Sequence, residues 1–215
     1  GRDGSGEVVS SLIEQFHYPP RGPGQMFDAM ASAVEDHGGE VRLQSEVIQV
    51  LTKGSKITGV RVRSEDGEVK LVKGAHYLSS MPLTLLIRAM SPAAPDEVLA
   101  AAKALTFRNL LTVNLIVDAP DLFPDNWIYV HEPQLQLGRI QNYKNWSPQM
   151  VPDPSMTSLG LEYFCSDDEP LWQMSTEELL ALGREEIAKI APQEWVSQSD
   201  DLSRSGKALA GAWQR

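Results

Sequence analysis

The chain has 215 residues, 42% of them hydrophobic and 22% charged, enough for one large domain or two small ones with a real core. Nineteen Lys and Arg against 29 Asp and Glu give a net charge of -10, which argues against nucleic acid or an anionic membrane as a partner. No stretch reaches the ~18 consecutive apolar residues of a transmembrane segment, and no signal peptide is recognisable. The single cysteine, Cys165, has no internal disulfide partner, so a cytoplasmic location is expected, with Cys165 as a buried structural thiol. The opening residues "GRDGSGEVV" carry neither an initiator methionine nor a targeting signature, and the chain is expected to be a fragment of a longer polypeptide.

In chain order, residues 7–15 have the spacing of a short helix. The segment "FHYPPRGPGQMFDAM" then stiffens the chain with three prolines and two glycines before Met26, Phe27, Met30, Val34 and His37 fall at helical intervals. Gly38 and Gly39 are placed to end that helix in left-handed geometry. The runs "EVRLQSEVIQVL", "KITGVRVRS" and "EVKLVKG", parted by "TKGS" and "EDG", predict an antiparallel meander of hairpins. "AHYLSSM", nearly uncharged and ended by Pro82, is a candidate buried strand. The "SPAAP" stretch marks a hinge or helix start, and "DEVLAAAKAL" is helical by propensity. "NLLTVNLIVD", "NWIYVHE", "LGRIQNY" and "TSLGLEYFC" predict a second sheet, and "STEELLALGREEIAKIA" predicts a capped helix. Glu177, Glu178, Glu185 and Glu186 are expected on the solvated face of that helix. The last residues, "SGKALAGAWQR", carry no pattern and are expected to be a disordered tail.

Known catalytic signatures are missing. The four histidines are scattered without ligand spacing, so no metal site is expected. There is no nucleophile elbow, no P-loop and no complete dinucleotide fingerprint. The Pro/Gly stretch admits two readings. It is either a stiff helix leader, or a helix start whose free amides and bare glycines, Gly22 and Gly24, let a flat ligand or a phosphate come close.

A resemblance favours the second. The passage from "YPPRGPGQMFDAM" through "ITGVRV" to "LSSMPLTLL" resembles the middle of the flavin amine-oxidase superfamily, which includes protoporphyrinogen oxidase-like, phytoene desaturase-like and UDP-galactopyranose mutase enzymes. The resemblance implies FAD in the parent protein, with Gly22, Gly24, Gln25 and Met26 beside the flavin, Val47 (with Val50) near the adenine, and Ser79, Ser80 and Pro82 at the return to the nucleotide-binding sheet. The fingerprint that holds the FAD pyrophosphate is absent, so this chain alone is expected not to retain the cofactor.

The second half offers substrate contacts. "DNWIYVHEPQLQLGRIQNYKNWSPQM" gathers Trp127, Tyr129, Arg139, Asn142, Tyr143, Lys144 and Trp146, a set suited to a polar or anionic small molecule. A sheet with aromatic packing and solvated charges accounts for the same residues equally well.

The expected fold class is α/β (an α+β fragment): residues 1–90 as a partial FAD-binding domain with a meander, residues 91–215 as a mixed-sheet substrate domain. The resemblance implies an FAD-dependent oxidoreductase acting on a small molecule by hydride transfer to flavin. A UDP-galactopyranose mutase-like isomerase and a non-catalytic protein-binding domain are the alternatives. Surface left bare by truncation, near Leu78 to Leu86, would permit self-association.

Overall fold

The computed structural model describes residues 17–190, which form a mixed α/β arrangement with two four-stranded sheets. The expected helix over 7–15 and the tail lie outside the described residues. The chain divides into two compact units, one made of residues up to 32 together with those from 108 onward, the other of residues 33–107. The division expected after residue 90 falls inside the second of these, at the short strand Met90–Ser91.

Helix α1 (Gly24–Asp36) starts where the Pro/Gly leader ends. It closes as expected: Gly38 has φ +80°, and the Gly39 N–H donates to Val34 O at 2.9 Å, a bond reaching back five residues that only a left-handed residue allows. Its apolar stripe is present, yet α1 buries no residue among those described, and Phe27 is 61% exposed.

In the unit of residues 33–107, β1 (Glu46–Lys53), β2 (Lys56–Arg63) and β3 (Val69–Val72) form the antiparallel meander. Gly54 (φ +59°) and Gly67 (φ +84°) supply the left-handed turn positions between the strands. Strand β4 (Met90–Ser91) pairs in parallel with β1, so the sheet order is β3-β2-β1-β4. Helices α2 (Leu83–Arg88) and α3 (Asp96–Ala104) flank β4 in sequence. The run 75–81 corrects an expectation: it is not a strand, and Leu78 is 98% exposed. A short apolar run becomes a strand only where a neighbour completes its hydrogen bonds, and no described strand pairs with it.

The other unit holds β5 (Asn109–Val117), β6 (Trp127–Tyr129), β7 (Leu137–Asn142) and β8 (Thr157–Cys165) in the order β5-β8-β7-β6, all antiparallel. Period-two alternation sorts this sheet into two faces. Val113, Leu115, Ile140, Leu159, Leu161, Tyr163 and Cys165 make the buried face, and the long helix α6 (Thr176–Ile190) adds Ile187 to the same core. α6 can settle closely because Gly183 has no side chain; a Cβ there would stand 3.0 Å from Val113 Cγ1 and 3.2 Å from Leu161 Cδ1. Cys165 is a buried free thiol, its pKa pushed up chiefly by burial.

Glu186 departs from the solvated face expected of it, being only 3% exposed. It falls three residues after Gly183 and four before Ile190, on the stripe that meets the sheet, and its two carboxylate oxygens accept the N–H groups of Gln136 (2.8 Å) and Leu137 (3.1 Å) at the start of β7. The Tyr163 hydroxyl is buried close by with no hydrogen-bond partner of good geometry, and burial, together with the Glu186 carboxylate, pushes its pKa well above the ordinary phenol range.

Two outcomes follow. Glu186→Ala leaves two inward-facing backbone donors without an acceptor and should cost roughly 2–4 kcal/mol, read from the urea midpoint. Tyr163 stays protonated in the folded state after it would ionise in the unfolded one. Its contribution is therefore complete below about pH 10 and drains away as pH rises further. Tyr163→Phe should flatten that alkaline loss, and an unchanged alkaline unfolding curve would contradict the assignment.

Candidate functional site

The opposite face of the β5–β8 sheet carries a polar cluster beside apolar residues such as Leu110 and Phe164. Pairing sets Trp127 opposite Gln141 and Tyr129 opposite Arg139, and opposed residues in antiparallel strands share a face. The bulge between Leu137 and Arg139 in the β7–β8 register sets Arg139 against Glu162. Glu162, 7% exposed, collects this face: Oε2 accepts Arg139 Nε at 2.5 Å and lies 2.5 Å from Nη2, and Oε1 accepts Gln141 Nε2 at 3.2 Å. Gln141 Oε1 in turn accepts the Trp146 indole N–H at 2.9 Å. Burial would lower the Arg139 pKa, but its hydrogen bonds to Glu162 and Tyr129 outweigh this and raise it. The guanidinium also lies over the Tyr129 ring, 5.8 Å from the centroid.

A shelf of rings covers one side of this network. Immediately after β7, the short helix α4 (Tyr143–Trp146) projects Tyr143 and Trp146. Trp146 stacks on Trp127, with centroids 5.1 Å apart and planes at 10°, and on Tyr18 from the leader, 5.0 Å away at 30°. The Tyr143 hydroxyl donates to Asn114 Oδ1 at 3.1 Å, and burial first, then the charge of Glu162, raises its pKa. The Tyr143 ring lies against Gly160, where an added Cβ would come 2.7 Å from Tyr143 Cζ.

Of the expected substrate residues, Trp127, Tyr129 and Arg139 thus share one face, with Tyr143 at its side. Asn142 does not join them. It lies one residue on from Gln141, buried on the core side, with Nδ2 3.4 Å from Phe123 O and Oδ1 unpartnered. Lys144 is not offered to a ligand either, since three main-chain carbonyls hold its ammonium group. Sequence reading missed Tyr18, Asn114, Gln141 and Glu162. Glu162 left a signal, as the one charge in the apolar strand "TSLGLEYFC".

The expected cofactor residues are a mixed set. Gly22, φ +87°, sits in a turn in which its N–H donates to Pro19 O at 2.9 Å. A Cβ there would meet Met150 Cε at 3.3 Å, so the room expected for a ligand is taken by a side chain. Gly24 is bare, with no atom within 4 Å of an added Cβ. The amides of Gln25 and Met26 donate to Gly22 O (3.2 Å) and Pro23 O (3.1 Å), and Gln25 Oε1 accepts the Arg21 N–H at 3.2 Å. In the other unit Val47 is half-buried in β1, while Ser80 and Pro82 are exposed ahead of α2. At the helix start Gly24 and Met26 are open while Gly22 is covered by Met150, so these residues could hold part of a flavin but not a whole dinucleotide. Among the described residues, no group of three or more His, Cys, Asp or Glu could hold a metal ion, and no helix is long and apolar enough to cross a membrane.

The family described as flavin containing amine oxidoreductase matches residues 8–206. A phytoene desaturase (neurosporene-forming) of Rhodobacter capsulatus is 41% identical over 58 residues, 26% of this chain and 11% of that protein. Among solved structures, reduced UDP-galactopyranose mutase aligns with a TM-score of 0.60 at 19% identity, over 90% of this chain and 38% of its own. An oxidoreductase from Methanosarcina mazei aligns with a TM-score of 0.60 at 18% identity, over 80% and 39%. At such identities the likeness is one of fold, and the chain spans well under half the length of these proteins.

The close seat of Tyr143 is testable. Gly160→Ala should push the ring off β8, break the bond to Asn114 and cost roughly 1–3 kcal/mol in urea unfolding. Wild-type stability in that variant would mean the ring is not seated there.

Proposed function

Because the chain belongs to the flavin containing amine oxidoreductase family, we propose that it is the substrate-side part of an FAD-dependent oxidoreductase of the amine-oxidase type, in which a small molecule is oxidised by hydride transfer to the flavin. The observation that supports this most is the pre-arranged polar and aromatic face: Trp127 stands opposite Gln141 and Tyr129 opposite Arg139, whose guanidinium is fixed by a buried carboxylate rather than left free to move. Such a face binds the flat or unsaturated part of a ligand on the rings and an acceptor group on the remaining guanidinium N–H. Tyr143 forms its side wall, and Asn142 supports β7 from beneath. The family resemblance offers Gly22, Gly24, Gln25 and Met26 in one unit, and separately Val47, Ser80 and Pro82 in the other, as candidate cofactor contacts.

The flavin would supply the electron acceptor, and this chain's residues would orient the substrate. A mutase-like isomerase finds less support, because a diphosphate calls for several converging arginines and Arg139 is already paired with Glu162. The lone buried thiol agrees with a cytoplasmic setting.

Two measurements test the proposal. In the complete polypeptide, Trp127→Ala and Arg139→Met should each raise the substrate concentration for half-maximal flavin reduction about tenfold or more, corresponding to about 1.4 kcal/mol of lost contact. Unchanged reduction kinetics in both would end the substrate-face reading. The 215-residue chain alone should be colourless, since the turn at Gly24 offers few of the charge-assisted bonds that hold a dinucleotide. Stoichiometric flavin absorbance co-eluting with it would show a cofactor site elsewhere.

A further inference from the structure

The Lys144 ammonium group is held by main chain. It donates to Pro120 O at 2.5 Å, Pro154 O at 2.7 Å and Met156 O at 3.2 Å, so each of its three N–H donors has one carbonyl. These carbonyls come from two segments far apart in sequence, one following β5 and one preceding β8. Thr157, itself buried, ties the same segments together, its Oγ1–H donating to Ala119 O at 2.7 Å with Pro120 O 3.1 Å away. Asp153, on the second of these segments, feels the charge of Lys144 but turns its Oδ1 to the Ser155 N–H (2.9 Å) and Oγ (2.7 Å). Converging carbonyls at these distances are the ligand set that proteins use for weakly hydrated monovalent cations.

We propose that Lys144 is the built-in cation of a monovalent-cation cage, and that through it Lys144 is the positioning residue for the Tyr143 and Trp146 rings on either side of it. The carbonyls would repel one another and lose their partners without a positive charge between them. With it, the loops at 118–121 and 153–157 become one rigid seat for α4. Asn145 adds a second tie, its Nδ2 donating to Phe123 O (2.7 Å) and Asp125 O (2.9 Å). α4 carries no buried residue of its own, so these polar ties hold the helix backbone from which the stacked Trp146 ring and the Tyr143 ring project. The cage would act in this way whether or not a flavin-dependent reaction takes place beside it.

The prediction is chemical rescue. Lys144→Ala empties the cage but leaves its carbonyls, and a small cation should take the ammonium's place. Lys144→Met keeps the stem and blocks the space. Both variants of the 215-residue chain are labelled with 5-fluorotryptophan, and the Trp146 resonance is identified by its loss in Trp146→Phe. In tetramethylammonium chloride both variants should melt roughly 5 °C below the native chain, with the Trp146 resonance displaced. Ammonium or potassium chloride at equal ionic strength should restore most of both signals in Lys144→Ala and neither in Lys144→Met. If Lys144→Ala does not fold in tetramethylammonium chloride, folding in the ammonium or potassium salt is the same rescue. Failure of both small cations to restore it, equal rescue of Lys144→Met, or a Lys144→Ala chain identical to the native would overturn the proposal.

Discussion

The polar face of the β5–β8 sheet depends on one buried carboxylate, Glu162. A charge on a strand otherwise made of core residues is costly unless every lone pair is used. Arg139 and Gln141 use them from one side, and Gln141 passes the connection on to the Trp146 indole. A guanidinium, an amide and an indole are thereby held in one chain of hydrogen bonds, and the aromatic groups stack where that chain places them. Without Glu162 the guanidinium would have no anchor and Tyr129 no cation beneath it.

Much of this was legible in the sequence, and the reasons differ by element. Strands β5 to β8 announce themselves by alternation, and the shared face of Trp127, Tyr129 and Arg139 follows from that alternation plus antiparallel pairing. The end of α1 was legible because Gly38 and Gly39 admit few other conformations. Glu186 was misjudged because a Glu among other glutamates reads as solvent-facing. Its helical spacing with Gly183 and Ile190 held the opposite message, and two unfilled amides at β7 decide the matter. The run 75–81 shows the limit of composition: an apolar stretch has no strand identity until a neighbour supplies hydrogen bonds. The partners of Lys144 could not have been foreseen, since main-chain carbonyls carry no side-chain signature.

The two sheets bear differently on function. The unit of residues 33–107 keeps few residues fully buried, Val50 and Ala102 among them, and leaves Leu43, Leu71, Leu78 and Leu83 exposed. The β5–β8 unit is well packed on one face and electrostatically complete on the other. Rigid placement of binding groups needs the second kind of support, which is why the substrate reading rests there. The family is one of flavin-containing proteins, and the geometry of this unit is what supports the proposed substrate face.

The central claim is that Glu162 and Arg139 act as one unit rather than as two independent surface charges. A double-mutant cycle of Glu162→Gln and Arg139→Met, followed by urea unfolding, measures this directly. The account predicts a coupling of about 1–3 kcal/mol, with the double variant more stable than the sum of the single losses allows, as expected for a pair sheltered from water. Additive losses, within about 0.5 kcal/mol, would show that the two groups do not depend on each other and would remove the physical basis of the binding face.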